Sequence, residues 1–117
     1  MALALVLVLS GCSAFSRAVK EGDLASQEQK WAEAEAAYLR ALAADPEASE
    51  VKVKLVKVRQ AWSEVVLAEA RSVHASEDLD AAMKLLVRAL ELNADNVPAR
   101  ELLGEVLDAR VAKATRP

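Results

Sequence analysis

The chain has 117 residues; 54% are hydrophobic and only 3% aromatic, and 15 basic against 18 acidic residues give a formal net charge of -3. This length supports one small domain, and a slightly acidic balance gives no electrostatic reason to expect a nucleic-acid partner. A lone cysteine and a lone histidine rule out an internal disulfide, a pair of histidine ligands and a cysteine–histidine metal cluster.

The chain opens on an uncharged apolar run, Ala2 to Leu9, followed by Ser10-Gly11-Cys12. The run is far shorter than the ~20 apolar residues that a membrane-spanning helix needs. Leu9-Ser10-Gly11-Cys12 resembles the lipobox of bacterial lipoproteins. The resemblance implies cleavage between Gly11 and Cys12, loss of residues 1–11 as a signal peptide, a diacylglyceryl thioether on Cys12 and acylation of the freed amine. Small residues before the cut let a peptidase bind an extended backbone, and the thiol is the nucleophile that takes the lipid. Several acyl chains anchor a protein stably where one holds it marginally, at ~0.8 kcal/mol per buried methylene. Ser13 follows the cysteine, and in that family a residue other than aspartate there implies the outer membrane of a two-membrane bacterium. The segment departs from the signal-peptide form in lacking any charge before Cys12, so a basic segment upstream of Met1 is the matching expectation. The alternative reading of the same residues is a buried helix in which Cys12 is a small inert hydrophobe.

Beyond a short tether (12–16), the chain is rich in Ala, Leu, Glu, Lys and Arg, all strong helix formers. A first helix is expected at about Arg17 to Gln27. Trp31, Ala34, Tyr38, Ala41 and Leu42 recur at three- and four-residue spacing, which sets them on one helical face. Asp45-Pro46 ends that helix, because a residue before proline is pushed out of the α region. From Glu47 to about Ser76 the pattern predicts one long helix with Val51, Leu55, Val58, Trp62 and Val65 in a stripe. Val51 to Leu55 also alternates as a half-buried strand would, and a lone strand here has no partner to pair with. Ser76, followed by Glu77, Asp78 and Asp80, suits an N-cap with an acidic first turn. Leu79, Ala82, Met83, Leu86, Ala89 and Leu90 form the next apolar face, which stops at the turn residues Asn93 to Asn96. A last helix, about Pro98 to Lys113, is expected to turn Leu102, Leu103, Val106 and Leu107 inward.

Two of these helices repeat each other: Trp31, Ala34, Tyr38, Ala41, Leu42 and Asp45 align with Leu79, Ala82, Leu86, Ala89, Leu90 and Asn93. The pattern resembles the second helix of the tetratricopeptide repeat, in which a small residue, a large apolar residue and a second alanine precede a proline. Gly22 falls at the small position of the preceding helix, and Leu103-Gly104 matches a third such helix. The chain departs from that family at Glu21, where leucine is usual, at Ala94, where proline is, and near Gln29, where no glycine marks the turn. Ala34 and Ala82 lie 48 residues apart against a period of about 34. The excess of about 14 residues is roughly four helical turns, enough to lengthen a helix without rotating its apolar face. The expected fold is therefore an all-α helix-turn-helix solenoid over residues 17–117. It comprises repeat 1 (about 15–48), an inserted helical extension (49–62), repeat 2 (63–96) and a closing helix (97–113).

No arrangement of serines, carboxylates or His74 has the spacing of a catalytic site, and no glycine-rich phosphate loop is present. The chain reads as a non-enzyme without a cofactor. Lys52, Lys54, Lys57 and Arg59 form a basic cluster that suits either solvent, with Glu47 and Glu50 close by, or an anionic surface. The tetratricopeptide resemblance implies a concave groove lined by the first helix of each repeat. By position it would carry Val19, Asp23, Ser26 and Gln27, then Glu64, Leu67, Arg71 and His74, then Glu101, Glu105 and Asp108. That mixed-to-acidic surface lacks the lysines and asparagines of chaperone carboxylate clamps and suits a basic or apolar segment of an envelope protein. Together these resemblances imply a lipid-anchored interaction scaffold or assembly factor, similar to pilotins and other small secretin- and pilus-associated lipoproteins. Alternatives are the N-terminal region or a short relative of a larger secretin-like protein, or an envelope enzyme with an unrecognised site. The last helix leaves apolar surface that nothing else covers, so it is expected to associate with a partner or with a second copy.

Overall fold

A computed structural model describes residues 2–117, with side chains from residue 13 onward. The fold is all-α. Five helices follow one another: α1 (Ala2–Gln27), α2 (Trp31–Ala44), α3 (Ser49–Ala75), α4 (Leu79–Leu92) and α5 (Val97–Ala114). Val51 to Leu55 is helical, because Val51, Leu55 and Val58 then share the face that enters the core. Among the described residues there is no strand, and no helix is long and apolar enough to cross a membrane. The chain divides into two compact units, Met1–Arg59 and Gln60–Pro117, with the boundary inside α3.

In the first unit α1 and α2 form a helical hairpin. Ala18 and Ala25 of α1 are buried with Ala34, Tyr38 and Ala41 of α2 and with Val51, Leu55 and Val58 of α3. Phe15, Val19, Trp31 and Leu42 pack at the margin of this cluster. Alanines dominate the α1–α2 contact, so the two backbones approach closely and one aromatic ring, Tyr38, fills the space left over.

The second unit repeats the hairpin. Val66, Leu67 and Ala70 of α3 pack with Ala82, Leu86, Ala89 and Leu92 of α4 and with Ala99 and Val106 of α5. Leu67 and Leu86 are almost wholly buried, each stabilising the fold by roughly 1.5–3 kcal/mol relative to exposure. The expected stripe on α3 is corrected at Val65, which is 51% exposed. Ser63 and Val66 take the inward positions, and Trp62 lies half-buried under the Arg88 guanidinium, 4.9 Å from its ring centre. On α5 the expected inner face is corrected at Leu107, 41% exposed. At 3.6 residues per turn it lies about a quarter-turn from the buried Val106.

Matching turns bound the two hairpins. Gln29 and Glu77 hold left-handed backbone conformations, with φ of 60° and 64°. At the first, Lys30 N donates to Ala25 O and Gln29 N to Ser26 O; at the second, Asp78 N donates to Val73 O and Glu77 N to His74 O. Both are Schellman caps in which a side-chain-bearing residue takes the place that glycine favours. This second cap also corrects the expected N-cap at Ser76, which lies in the turn that follows α3. Asp78 caps α4 instead, accepting from Ala81 N. At the far ends, the side chains of Asp45 and Asn93 accept from the backbone of Glu47 and Asp95, ending α2 and α4 alike.

Candidate binding surface

Gly22 is the residue around which the first unit closes. A Cβ built there would lie 2.6 Å from Cδ1 and 2.9 Å from Cζ of Tyr38, so only a glycine lets the ring lie against the α1 backbone. The phenol then donates to Asp23 Oδ1 at 2.6 Å, and Lys54 Nζ donates to both oxygens of the same carboxylate at 2.8 and 3.0 Å. Burial pushes the Asp23 carboxyl up, but the hydrogen bonds from Lys54 and Tyr38 outweigh it and hold it below the ordinary range. Burial and the bond to Asp23 push the Tyr38 phenol well above its ordinary value. Asp23 is thus tied into the packing between helices, while Gln27 of the same helix is exposed.

In the second unit four of the expected groove residues come together. Arg71 and His74 of α3, with Glu101 and Glu105 of α5, line a shallow pocket of about 240 Å³ completed by Pro98 and Leu102. The helices bring opposite charges to one surface, as a site for a peptide of mixed or basic character requires. Glu64 and Asp108 are exposed outside that pocket. Leu67 does not belong to a groove. It is 1% exposed because, next to Val66 and one turn from Ala70, it enters the core cluster.

A larger open cleft, about 770 Å³, lies between the α3–α4 turn (Ser76 to Asp80) and the outer side of α5, lined by Leu107, Arg110 and Val111. One wall is fixed by Arg110 Nε, which donates to Asp80 at 2.9 Å. The basic cluster on α3 is partly neutralised, by residues other than the expected Glu47 and Glu50. Lys54 bonds Asp23, and Arg59 Nε donates to Glu35 at 2.8 Å.

Sequence reasoning missed a buried polar chain in the second unit. Asn96 Nδ2 donates to Ser63 Oγ at 2.8 Å, and Ser63 Oγ donates to Ala89 O at 2.7 Å, with Ser63 0% and Asn96 2% exposed. Asn96 also caps α5 by accepting from Ala99 N. An asparagine two residues before a proline signals that cap. Nothing around Ser63 signals that it lies inside the core.

The expected lipidation and cleavage positions, Cys12 and Gly11, lie outside the residues whose side chains are described. Compared with known protein families and with curated proteins, the chain matches none.

Proposed function

We propose that this chain is a lipid-anchored protein of the bacterial envelope, of the outer membrane facing the periplasm, whose tetratricopeptide-like helices serve as an interaction scaffold or assembly factor. The observation that carries this reading is the order of its parts. Leu9-Ser10-Gly11-Cys12 stands just ahead of the first core residue described, Phe15, so cleavage before Cys12 spares every described contact of α1 with its unit. The mixed-charge pocket of Arg71, His74, Glu101 and Glu105 supports a protein partner.

Mass spectrometry of membrane fractions tests the anchor. The wild-type chain should begin at an acylated Cys12, and Cys12→Ser should remain unprocessed and unlipidated. Recovery of the wild-type chain with Met1 retained and Cys12 unmodified would overturn the reading.

A further inference from the structure

Each hairpin in this chain buries the same ridge of its first helix. In α1 the ridge is Ala18, Gly22 and Ala25, under α2; in α3 it is Val66, Ala70 and Val73, packed with α4. The third ridge in this register, Arg100, Gly104 and Leu107 of α5, has no such cover. A Cβ built on Gly104 meets nothing within 4 Å. Leu107 is 41% exposed, and Val97 and Val111, one turn-pair away on the same line, are 49% and 64% exposed.

At the two covered ridges, the covering side chain differs together with the residue that follows the central position. Gly22 is followed by Asp23 and receives Tyr38, whose ring lies where a Cβ would be and whose phenol bonds the carboxylate. Ala70 is followed by Arg71, and the residue at the place of Tyr38 is the aliphatic Leu86. Gly104 is followed by Glu105, which restores the glycine–carboxylate pair on an open helix face. The geometry points to Gly104-Glu105 as a second tyrosine socket, a docking site for an amphipathic helix of a partner protein that lays a tyrosine ring over Gly104 and donates its phenol to Glu105.

Two further features define the occupant. Glu101 and Glu105 face Arg71 and His74 of α3 across their pocket, just as at the filled socket the cation on the carboxylate, Lys54, comes from α3 and not from the helix that carries Tyr38. Ala34 and Ala41, a turn either side of Tyr38, are wholly buried. The partner helix should therefore carry small residues a turn from its tyrosine to admit Leu107, while α3 of this chain supplies the cation beside the carboxylate. A second copy of this chain does not meet the requirement. Tyr38 is its one tyrosine, 2% exposed and already bonded to Asp23, so a copy could offer it only by dismantling its own first unit. The proposal deepens the scaffold reading and rests on its claim of a protein partner, but not on the lipid anchor.

The test uses a fluorescein-labelled peptide with the sequence of residues 30–46, which holds Tyr38 in the context that fills the first socket, titrated against the full chain by anisotropy. Displacement of α2 from the first unit is disfavoured by the high effective concentration of a tethered helix, and the protein variants exclude it. Saturable binding is expected, weaker by about three- to tenfold for the Tyr38→Phe peptide and lost for Tyr38→Ala. Gly104→Ala in the protein should weaken binding by roughly tenfold or more without lowering the melting temperature, since alanine favours an exposed helix. Glu105→Gln should bind the tyrosine and phenylalanine peptides nearly alike. No saturable binding, equal affinity of both peptides for the wild-type chain, or full binding by Gly104→Ala would overturn the socket. A dimer of the peptide-free chain in sedimentation, dispersed by Gly104→Ala, would overturn the assigned occupant. A chain without lipid leaves this titration unaffected, and a failed titration leaves the acylation test unaffected, so the two readings fail separately.

Discussion

One substitution made at two glycines should move stability in opposite directions. Gly→Ala in a helix interior is worth roughly 0.8–1 kcal/mol in intrinsic propensity. At Gly104 nothing stands within 4 Å of the new Cβ, so the whole gain should appear. At Gly22 the same methyl would press on the Tyr38 ring, 2.6 Å from Cδ1 and 2.9 Å from Cζ. That ring cannot swing away freely, because it is 2% exposed and its hydroxyl is held by Asp23. Overpacking of this kind costs about 1–3 kcal/mol. Because the clash is with ring carbons themselves, the upper half of that range applies, and subtracting the propensity gain leaves a net loss of roughly 1–2 kcal/mol. The two variants should then differ by about 2–3 kcal/mol. With 1 kcal/mol shifting the melting temperature of a 60–100-residue domain by roughly 4–8 °C, the separation should exceed about 8 °C. Thermal melts followed by circular dichroism, with urea titrations for free energies, measure it. Melting temperatures shifted in the same direction by similar amounts would refute the reasoning, since the contact between Gly22 and Tyr38 would then be absent in solution.

Other substitutions probe other links. Ala41→Leu and Ala89→Leu, at wholly buried helix crossings, should each cost roughly 1–3 kcal/mol, while Ala36→Leu on an exposed face should leave the urea midpoint nearly unchanged. Ser63→Ala should destabilise the second unit by about 1–3 kcal/mol, because it leaves the buried Asn96 amide without its acceptor. Gln29→Gly and Glu77→Gly should each raise the melting temperature. They relieve a left-handed conformation that strains other residues by about 1–2 kcal/mol, against a smaller loss of about 0.5–1 kcal/mol in chain entropy. The Asp23 carboxyl sits below its ordinary range when folded. Its contribution is therefore complete above about pH 4 and is lost as pH falls through the lowered value. Asp23→Asn should accordingly show a shallower acid loss of stability than the wild type between about pH 5 and pH 2. The difference will be small because the Asp23–Lys54 pair is more than a third exposed.

The sequence by itself determined the helices and their repetition. Spacing of Ala34, Tyr38, Ala41 and Leu42, and its echo 48 residues on, is a local signal, since a helix's apolar face is written at intervals of three and four residues. Hence the positions of α2 and α4 and the long α3 could be read directly, while for Val51 to Leu55, whose alternation also fits a strand, the lack of a pairing strand favoured helix. The stops were legible from local signals too, Pro46 after Asp45 and the turn residues Asn93 to Asn96; in the structure the Asp45 and Asn93 side chains bond backbone two residues away. Tertiary structure alone decided what those faces meet. Val65 and Leu107 belong to apolar patterns yet stay exposed, because which edge of a stripe is covered depends on the crossing of another helix. Leu67 fits a groove position by register but is drawn into the core by neighbours on α4 and α5. Lys54 and Arg59 bond Asp23 and Glu35, 31 and 24 residues away, rather than acids nearby. Ser63 lies inside because Asn96, 33 residues later, supplies its partner. The difference between Gly22 and Gly104 is of the same kind. Both are glycines followed by a carboxylate on a helix, and only folding determines that a ring lies against one while the other faces open space.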